Sequence, residues 1–422
     1  MPSILKSASE NRQLIEQILQ QFAGVLMALP NTVTNGGLLS GLTGDLLYLY
    51  QLSLYQGGLV GQTVVDEEVF NDKLEFLQES LALSAGHPNL SAGLSGQGWF
   101  LEYLNQGQGE DYDDELCEEI DNLLHSSLSV DEWLGEIELI LGLGGIAIYA
   151  ARRQLKSAST ELFERLLSHY EQALTQISDT TSSWTQPAKS HYRFDQENPD
   201  KAEFNLGLAH GVPGIIAAIL PALNIPKLHQ RAKLLLQQSC DWLLEQELAA
   251  ESEGKARVSC FASACGEHDN GGNSYNSGSR LGWCYGDLTI ALTLSRVGKA
   301  LQHSGYIEKA RQISLHAATR DKTQGMVYDA GLCHGSAGLV LIFQLLDQQL
   351  NEPKLAQAAN RWLDYTLDLY RQKGLEGLYA WTPLEQDYKE DTGLLMGFGG
   401  VGLCLLSALG EEADWVDCLL MA

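Results

Sequence analysis

The stretch Ala209-His210-Gly211-Val212-Pro213-Gly214-Ile215-Ile216-Ala217-Ala218-Ile219 sets two glycines three residues apart and then runs on without a polar residue. It is one of seven such openings. The others are Gly41-Leu42-Thr43-Gly44, Gly93-Leu94-Ser95-Gly96, Gly142-Leu143-Gly144-Gly145, Gly286-Asp287-Leu288-Thr289, Gly335-Ser336-Ala337-Gly338 and Gly397-Phe398-Gly399-Gly400. Only the fifth departs, with Thr289 in place of the second glycine. A glycine ahead of a helix permits a tight turn, and one on the first turn lets a neighbouring backbone come close. Most of these glycines therefore serve architecture, and their value is the common register they set.

Working outward, each opening is followed by a nearly continuous apolar stretch, such as Leu46–Leu54, Ile215–Leu223, Leu288–Leu294 and Leu339–Leu346. Such stretches suit helices covered on both sides. Between them lie segments with apolar residues at helical spacing and charges on the other face, among them Leu14–Leu29, Leu162–Ile177, Leu228–Leu244, Ile307–His316 and Leu355–Tyr370. Strand signals are few. The pattern predicts an all-α fold, an α/α toroid in which seven outer and seven inner helices close into a double barrel over a single domain, 1–422. Successive first glycines stand 52, 49, 69, 75, 49 and 62 residues apart, so two intervals carry inserts. These fall near 179–203 and 251–279 and are expected to be loops or flaps over one end of the ring.

Charge narrows the function classes. Fifty-four acidic residues against 27 basic ones give a formal net charge of -27, which repels nucleic acid and anionic lipid. No run of 18 uncharged apolar residues suggests a membrane span, and the N-terminus lacks the apolar core of a secretory signal. Eight cysteines in such a chain read as buried thiols or metal ligands in a reducing compartment, and the expected location is the cytoplasm.

In a closed ring, residues just ahead of each glycine converge on one mouth. Copies one, two, three and seven place Leu39 and Ser40, Ser91 and Ala92, Ile140 and Leu141, and Leu395 and Met396 there. Copies four to six place Ala209 and His210, Cys284 and Tyr285, and Cys333 and His334. Two thiolates and an imidazole suit Zn²⁺, and three protein ligands leave a fourth position open, as catalytic zinc requires. Cys284, Cys333 and His334 are the expected ligands of one zinc ion. The alternative, two cysteines filling core at helix starts, is common for single cysteines but not for a set in register. Cys260 and Cys265 read as core or loop thiols, and His191, His303 and His316 as ordinary surface or helix residues.

The motifs Arg280-Leu281-Gly282-Trp283-Cys284-Tyr285-Gly286, Cys333-His334-Gly335 and Ala209-His210-Gly211-Val212-Pro213-Gly214 resemble those of the lanthionine synthetase C family along the whole chain. The resemblance implies the toroid, zinc in its central cavity, and addition of peptide cysteine thiols to dehydroalanine or dehydrobutyrine to form (methyl)lanthionine rings. The substrate would be a dehydrated precursor peptide, supplied by a separate dehydratase. In that scheme His210 is the expected proton donor, its ordinary pKa near 6.5 suiting the task. Arg280 would steady enolate charge. Tyr285 would offer a hydrogen bond, with Trp283 shaping the cavity wall. Where the family carries an aspartate four residues ahead of the third glycine opening, this chain has Glu138, a candidate partner for His210 or an outward helix charge. Two other functions share these residues: glutathione transfer to dehydrated proteins, and a zinc-stabilised scaffold. A toroidal glycosidase would need a second convergent carboxylate, and only Glu138 is in register.

Overall fold

A computed structural model describes residues 10–31, 36–55, 64–84, 86–108, 114–153, 157–187, 202–252, 254–266 and 278–422. Within them the apolar and amphipathic stretches form helices that alternate strictly. The outer set is α1 (Glu10–Ala28), α3 (Glu67–Ser80), α5 (Glu115–Ser127), α7 (Ser157–Gln172), α9 (His229–Glu245), α11 (Ser304–Ala317) and α13 (Pro353–Lys373). The inner set is α2 (Leu42–Leu54), α4 (Leu94–Gln108), α6 (Leu143–Arg152), α8 (Val212–Ile219), α10 (Asp287–Ala300), α12 (Ser336–Leu350) and α14 (Phe398–Leu409). All residues of α8 and α14 are buried, whereas α13 buries a single face through Leu355, Ala359, Trp362, Thr366 and Tyr370. Each inner helix packs on the next, and α14 returns to α2, so the fold is the expected α/α toroid.

The glycine register has a physical basis. A Cβ at Gly338 would sit 1.8 Å from the Leu332 carbonyl oxygen, so only glycine fits there. Gly286 needs its freedom differently, with φ of 113° at the start of α10. One turn ahead of the inner helices, backbone bonds tie each repeat to the next. Leu39 N–H donates to Ser91 O, Ser91 to Ile140, Ala209 to Cys284, Cys284 to Cys333, Cys333 to Leu395, and Leu395 back to Leu39, at 2.8–3.4 Å. These are the positions two residues ahead of each first glycine. The circle opens once, between the third and fourth repeats, where Ile140 N–H donates instead to the Glu138 carboxylate at 2.8 Å.

The opposite end is plugged by the C-terminal segment. Trp283 Nε1 donates to Leu419 O (2.9 Å), Trp99 Nε1 to Asp417 (3.1 Å) and Arg296 to Leu420 O (2.6 Å). Trp283 is thus fully buried and braces this plug rather than lining the cavity wall. The inserts also differ from loops. Gln186–Pro187, Ala202–Asn205 and Ala264–Gly266 form an antiparallel sheet that joins the two, although residues 188–201 and 267–277, with His191 and the glycine-rich run, lie outside the described residues.

Candidate metal and proton-transfer site

The fifth and sixth repeats deliver Cys284 and Cys333 side by side, because Trp283 N–H (2.6 Å) and Cys284 N–H (3.4 Å) both donate to the Cys333 carbonyl. His334 follows Cys333 in the chain, and its Nδ1 stands 3.9 Å from Cys284 Sγ. One donor atom from each of Cys284, Cys333 and His334 lies within 4.8 Å of the others. Cys333 is buried, and Cys284 and His334 are half-buried. The Cys333 thiol donates to Cys284, which holds the Cys284 thiol well below the ordinary range, with His334 and Arg280 acting the same way against burial. The same contact, with burial, pushes Cys333 up. Two soft sulfurs and one imidazole nitrogen at this spacing fit the donor preferences of zinc.

His210 arrives from the fourth repeat. Its Nδ1 is 3.0 Å from Glu138 Oε2, so the structure pairs the two candidates and excludes an outward helix charge for Glu138, which is 3% exposed. Glu138 fills the seam in the backbone circle and accepts N–H bonds from Ile140 and Leu141. These three donors fix the carboxylate, and the carboxylate fixes the ring. Burial depresses the His210 pKa, but the Glu138 hydrogen bond and charge outweigh it and the net shift is upward. Tyr285, also buried, has its ring centroid 6.5 Å from that of His210, and its hydroxyl accepts a hydrogen bond from Asn205 Nδ2 at 3.0 Å. Arg280 is half-buried, and its charge reaches both Cys284 and Cys333. The two groups meet where the fourth repeat pairs with the fifth, Ala209 N–H donating to the Cys284 carbonyl at 3.3 Å.

A further regularity escaped the sequence reading. Six residues ahead of the first glycine stand Asn205, Asp329 and Asp391, each accepting the N–H of the glycine two residues on (Gly207, Gly331, Gly393) at 2.9–3.0 Å. These self-closed turns shape the approach to each inner helix. The fifth repeat puts Arg280 at that position. Its turn is held from behind instead, by buried Arg320, which donates to Ser279 O (2.6 Å) and Gln324 O (2.7 Å) and pairs with Asp287 (3.4 Å). The signal is Asn/Asp-x-Gly-Leu in the fourth, sixth and seventh copies against Arg280-Leu281-Gly282-Trp283 in the fifth. Similarly, His303 is not an idle helix residue, because its Nδ1 caps α11 by accepting the Tyr306 N–H.

The profile of the lanthionine synthetase C-like proteins matches residues 32–420. The chain belongs to that family. Among solved structures, nisin cyclase superposes at a TM-score of 0.71 with 19% identity, over 97% of this chain and 97% of that one. An inactive α-1,6-mannanase variant of Salegentibacter sp., in complex with α-1,6-mannotriose, matches at 0.46 and 12% identity, over 95% and 100%. No curated protein matches by sequence. No helix of the described residues is long and apolar enough to cross a membrane.

Proposed function

We propose that this lanthionine synthetase C-like protein is a zinc-dependent peptide cyclase that closes (methyl)lanthionine thioether rings in a dehydrated precursor peptide. The observation that carries the reading is the convergence of a two-sulfur, one-imidazole donor set with a carboxylate-backed histidine at one mouth. Family membership and the nisin cyclase fold support the same class of enzyme. Cys284, Cys333 and His334 would hold the metal. Zinc held there would supply Lewis-acid chemistry, lowering the pKa of a substrate thiol from near 8.5.

The chain's own residues account for the rest. The substrate thiol gives its proton to solvent, from which His210 is recharged after each turnover, and its sulfur lone pair forms the C–S bond at the β-carbon of the dehydro residue. The displaced π pair moves toward the α-carbon and carbonyl oxygen. Arg280 lies close enough to the two cysteines for its charge to meet that developing oxyanion. His210, whose pKa the Glu138 hydrogen bond and charge raise against burial, donates the proton that the α-carbon requires. Tyr285, anchored by Asn205, holds the wall against which the imidazole sits. We assign the whole of 1–422 to one cytoplasmic enzyme served by a separate dehydratase.

The test is product mass. Incubating the zinc-loaded protein with a peptide bearing dehydroalanine and cysteine, with and without glutathione, should give an isomer of unchanged mass that no longer reacts with thiol reagents. A glutathione adduct in its place would overturn the cyclase in favour of a transferase, and no reaction with either would leave the scaffold. His210→Gln should lower turnover about a hundredfold or more while zinc stays bound.

A further inference from the structure

The last approach to the mouth carries something the ring does not need. Between α13 and α14 the chain makes a β-hairpin, Ala380–Thr382 against Asp387–Lys389, with Trp381 directly opposite Tyr388. Their rings stand 5.0 Å apart, and Tyr328 from the neighbouring approach joins them at 6.0 Å from Trp381. Tyr328 is 49% exposed, Tyr388 42%, and Leu384, in the turn between the strands, is fully exposed. Exposed leucines on the outer wall, Leu123 on α5 and Leu234 on α9, stand on separate helices with no such ring cluster about them, as on any soluble surface.

The platform is held rigid. Tyr388 Oη donates to Tyr328 O at 2.9 Å, and the Trp381 N–H donates to Asp329 Oδ2 at 2.8 Å. Asp329 is 1% exposed, and its other oxygen closes the turn that leads, four residues on, to Cys333 and His334. The aromatic surface is thus bolted to the loop that carries two of the three candidate ligands. Exposed Glu376, Glu385, Asp387 and Glu390 flank it in the chain against two lysines that are both engaged. Lys389 is paired with Glu385, and Lys373 Nζ lies 5.8 Å over one face of the Tyr388 ring. That contact shows that the ring accepts a cation, and it leaves the Trp381 and Tyr328 faces for a ligand.

We infer that the Tyr328–Trp381–Tyr388 platform, with Leu384 at its tip, docks an apolar, Lys- or Arg-bearing stretch of the peptide substrate beside its reacting cysteine. The inference rests on the cyclase reading for the substrate being a peptide. Ring faces accept aliphatic and aromatic side chains and attract cations, and flanking carboxylates in a chain of net charge -27 select for positive charge and against anionic lipid. Rigid aromatic groups also lose little freedom on binding, which favours them as anchors.

The experiment uses the zinc-loaded full chain and a fluorescein-labelled peptide in which Lys-Phe-Lys-Leu precedes a dehydroalanine and a cysteine, read by anisotropy. Leu384→Ser with Tyr388→Ala should weaken binding about tenfold or more, raise KM and leave kcat and zinc content unchanged. Glu385→Lys should weaken it less and flatten its salt dependence. Leu234→Ser, at a 56% exposed leucine on the outer wall, should change nothing. Undiminished affinity in the double variant overturns the inference while the cyclase stands, because wild type still turns the peptide over. A wild-type dimer that the double variant makes monomeric, with peptide affinity intact, would identify a second copy as the occupant and overturn it equally. A wild type that neither binds nor converts the peptide defeats both readings together.

Discussion

Two side-chain clusters in this molecule offer nearly the same atoms at the same spacing. Cys284, Cys333 and His334 form one, and Cys260, Asp287 and His316 the other, each with ligand-type atoms within 4.8 Å. Their charges differ. In the first the Cys333 thiol, His334 and Arg280 hold the Cys284 thiol down, while the same contact and burial push Cys333 up, and no carboxylate stands among the three. In the second, burial and the Asp287 charge push the Cys260 thiol up to about 12. Asp287 already accepts the Cys260 and Phe261 N–H groups and pairs with Arg320, whose guanidinium supplies the positive charge a metal would bring. Donor type and distance do not by themselves make a metal site. What separates the clusters is whether the charge is already balanced.

The largest expected effect follows from the first cluster. Cys333→Ala should drop zinc from about one per chain to near none by atomic spectroscopy, and activity by at least about a thousandfold. Stoichiometric zinc in that variant would remove the distinction at once. Next comes Arg320→Met, which strips the second cluster of its cation and leaves Asp287 charged in the core. Breaking a buried pair in this way costs about 3–5 kcal/mol, measurable by urea unfolding. If added zinc restored most of that stability, the second cluster would be a metal site with an arginine substitute.

The sequence carries the first cluster and hides the second for a physical reason. The first lies in repeat register, so the glycine openings alone align Cys284 with Cys333 and bring His210 to the same mouth. The second joins an insert, an inner helix start and an outer helix end, positions that no period relates. His316 accordingly reads as an ordinary helix residue until Asp287 appears 3.9 Å away. The insert strands are hidden likewise, since Phe204 pairs with Cys265 across a long gap and neither segment alternates for long enough to show. Glu138 stands between the two cases. Its register position was legible, but not the open seam in the backbone circle that its carboxylate fills.

That seam gives the third prediction. Glu138→Gln removes the charge that raises the His210 pKa and turns one of the two accepting oxygens into a donor, so burial is left to depress the imidazole. Turnover should fall roughly tenfold to a hundredfold, a fraction of what a general acid supplies, and the alkaline limb of the kcat–pH profile should move to lower pH. Stability should follow the sign of the shift. A histidine with a raised folded pKa adds stability that is fully present below its unfolded value near 6.5 and fades as pH rises through the folded value. Wild type should therefore outlast the variant in acid and lose that advantage in alkali. An unmoved alkaline limb would show that His210 is not the acid, even with the metal cluster intact.

The smallest effect is the most direct check on the contrast between the clusters. Cys260 is fully buried, and its backbone rather than its sulfur makes the bonds to Asp287. Cys260→Ala keeps those N–H bonds and removes one buried sulfur atom, so the loss should be about 1 kcal/mol from packing alone. Zinc content should stay at about one per chain, because the three donors in register are untouched. A wild type holding two zinc ions, reduced to one by this variant, would show that Arg320 does not complete the second cluster. Unchanged zinc with the small stability loss fits a carboxylate that serves as an anchor for the insert, since Asp287 then binds backbone and arginine and has no cation left to seek.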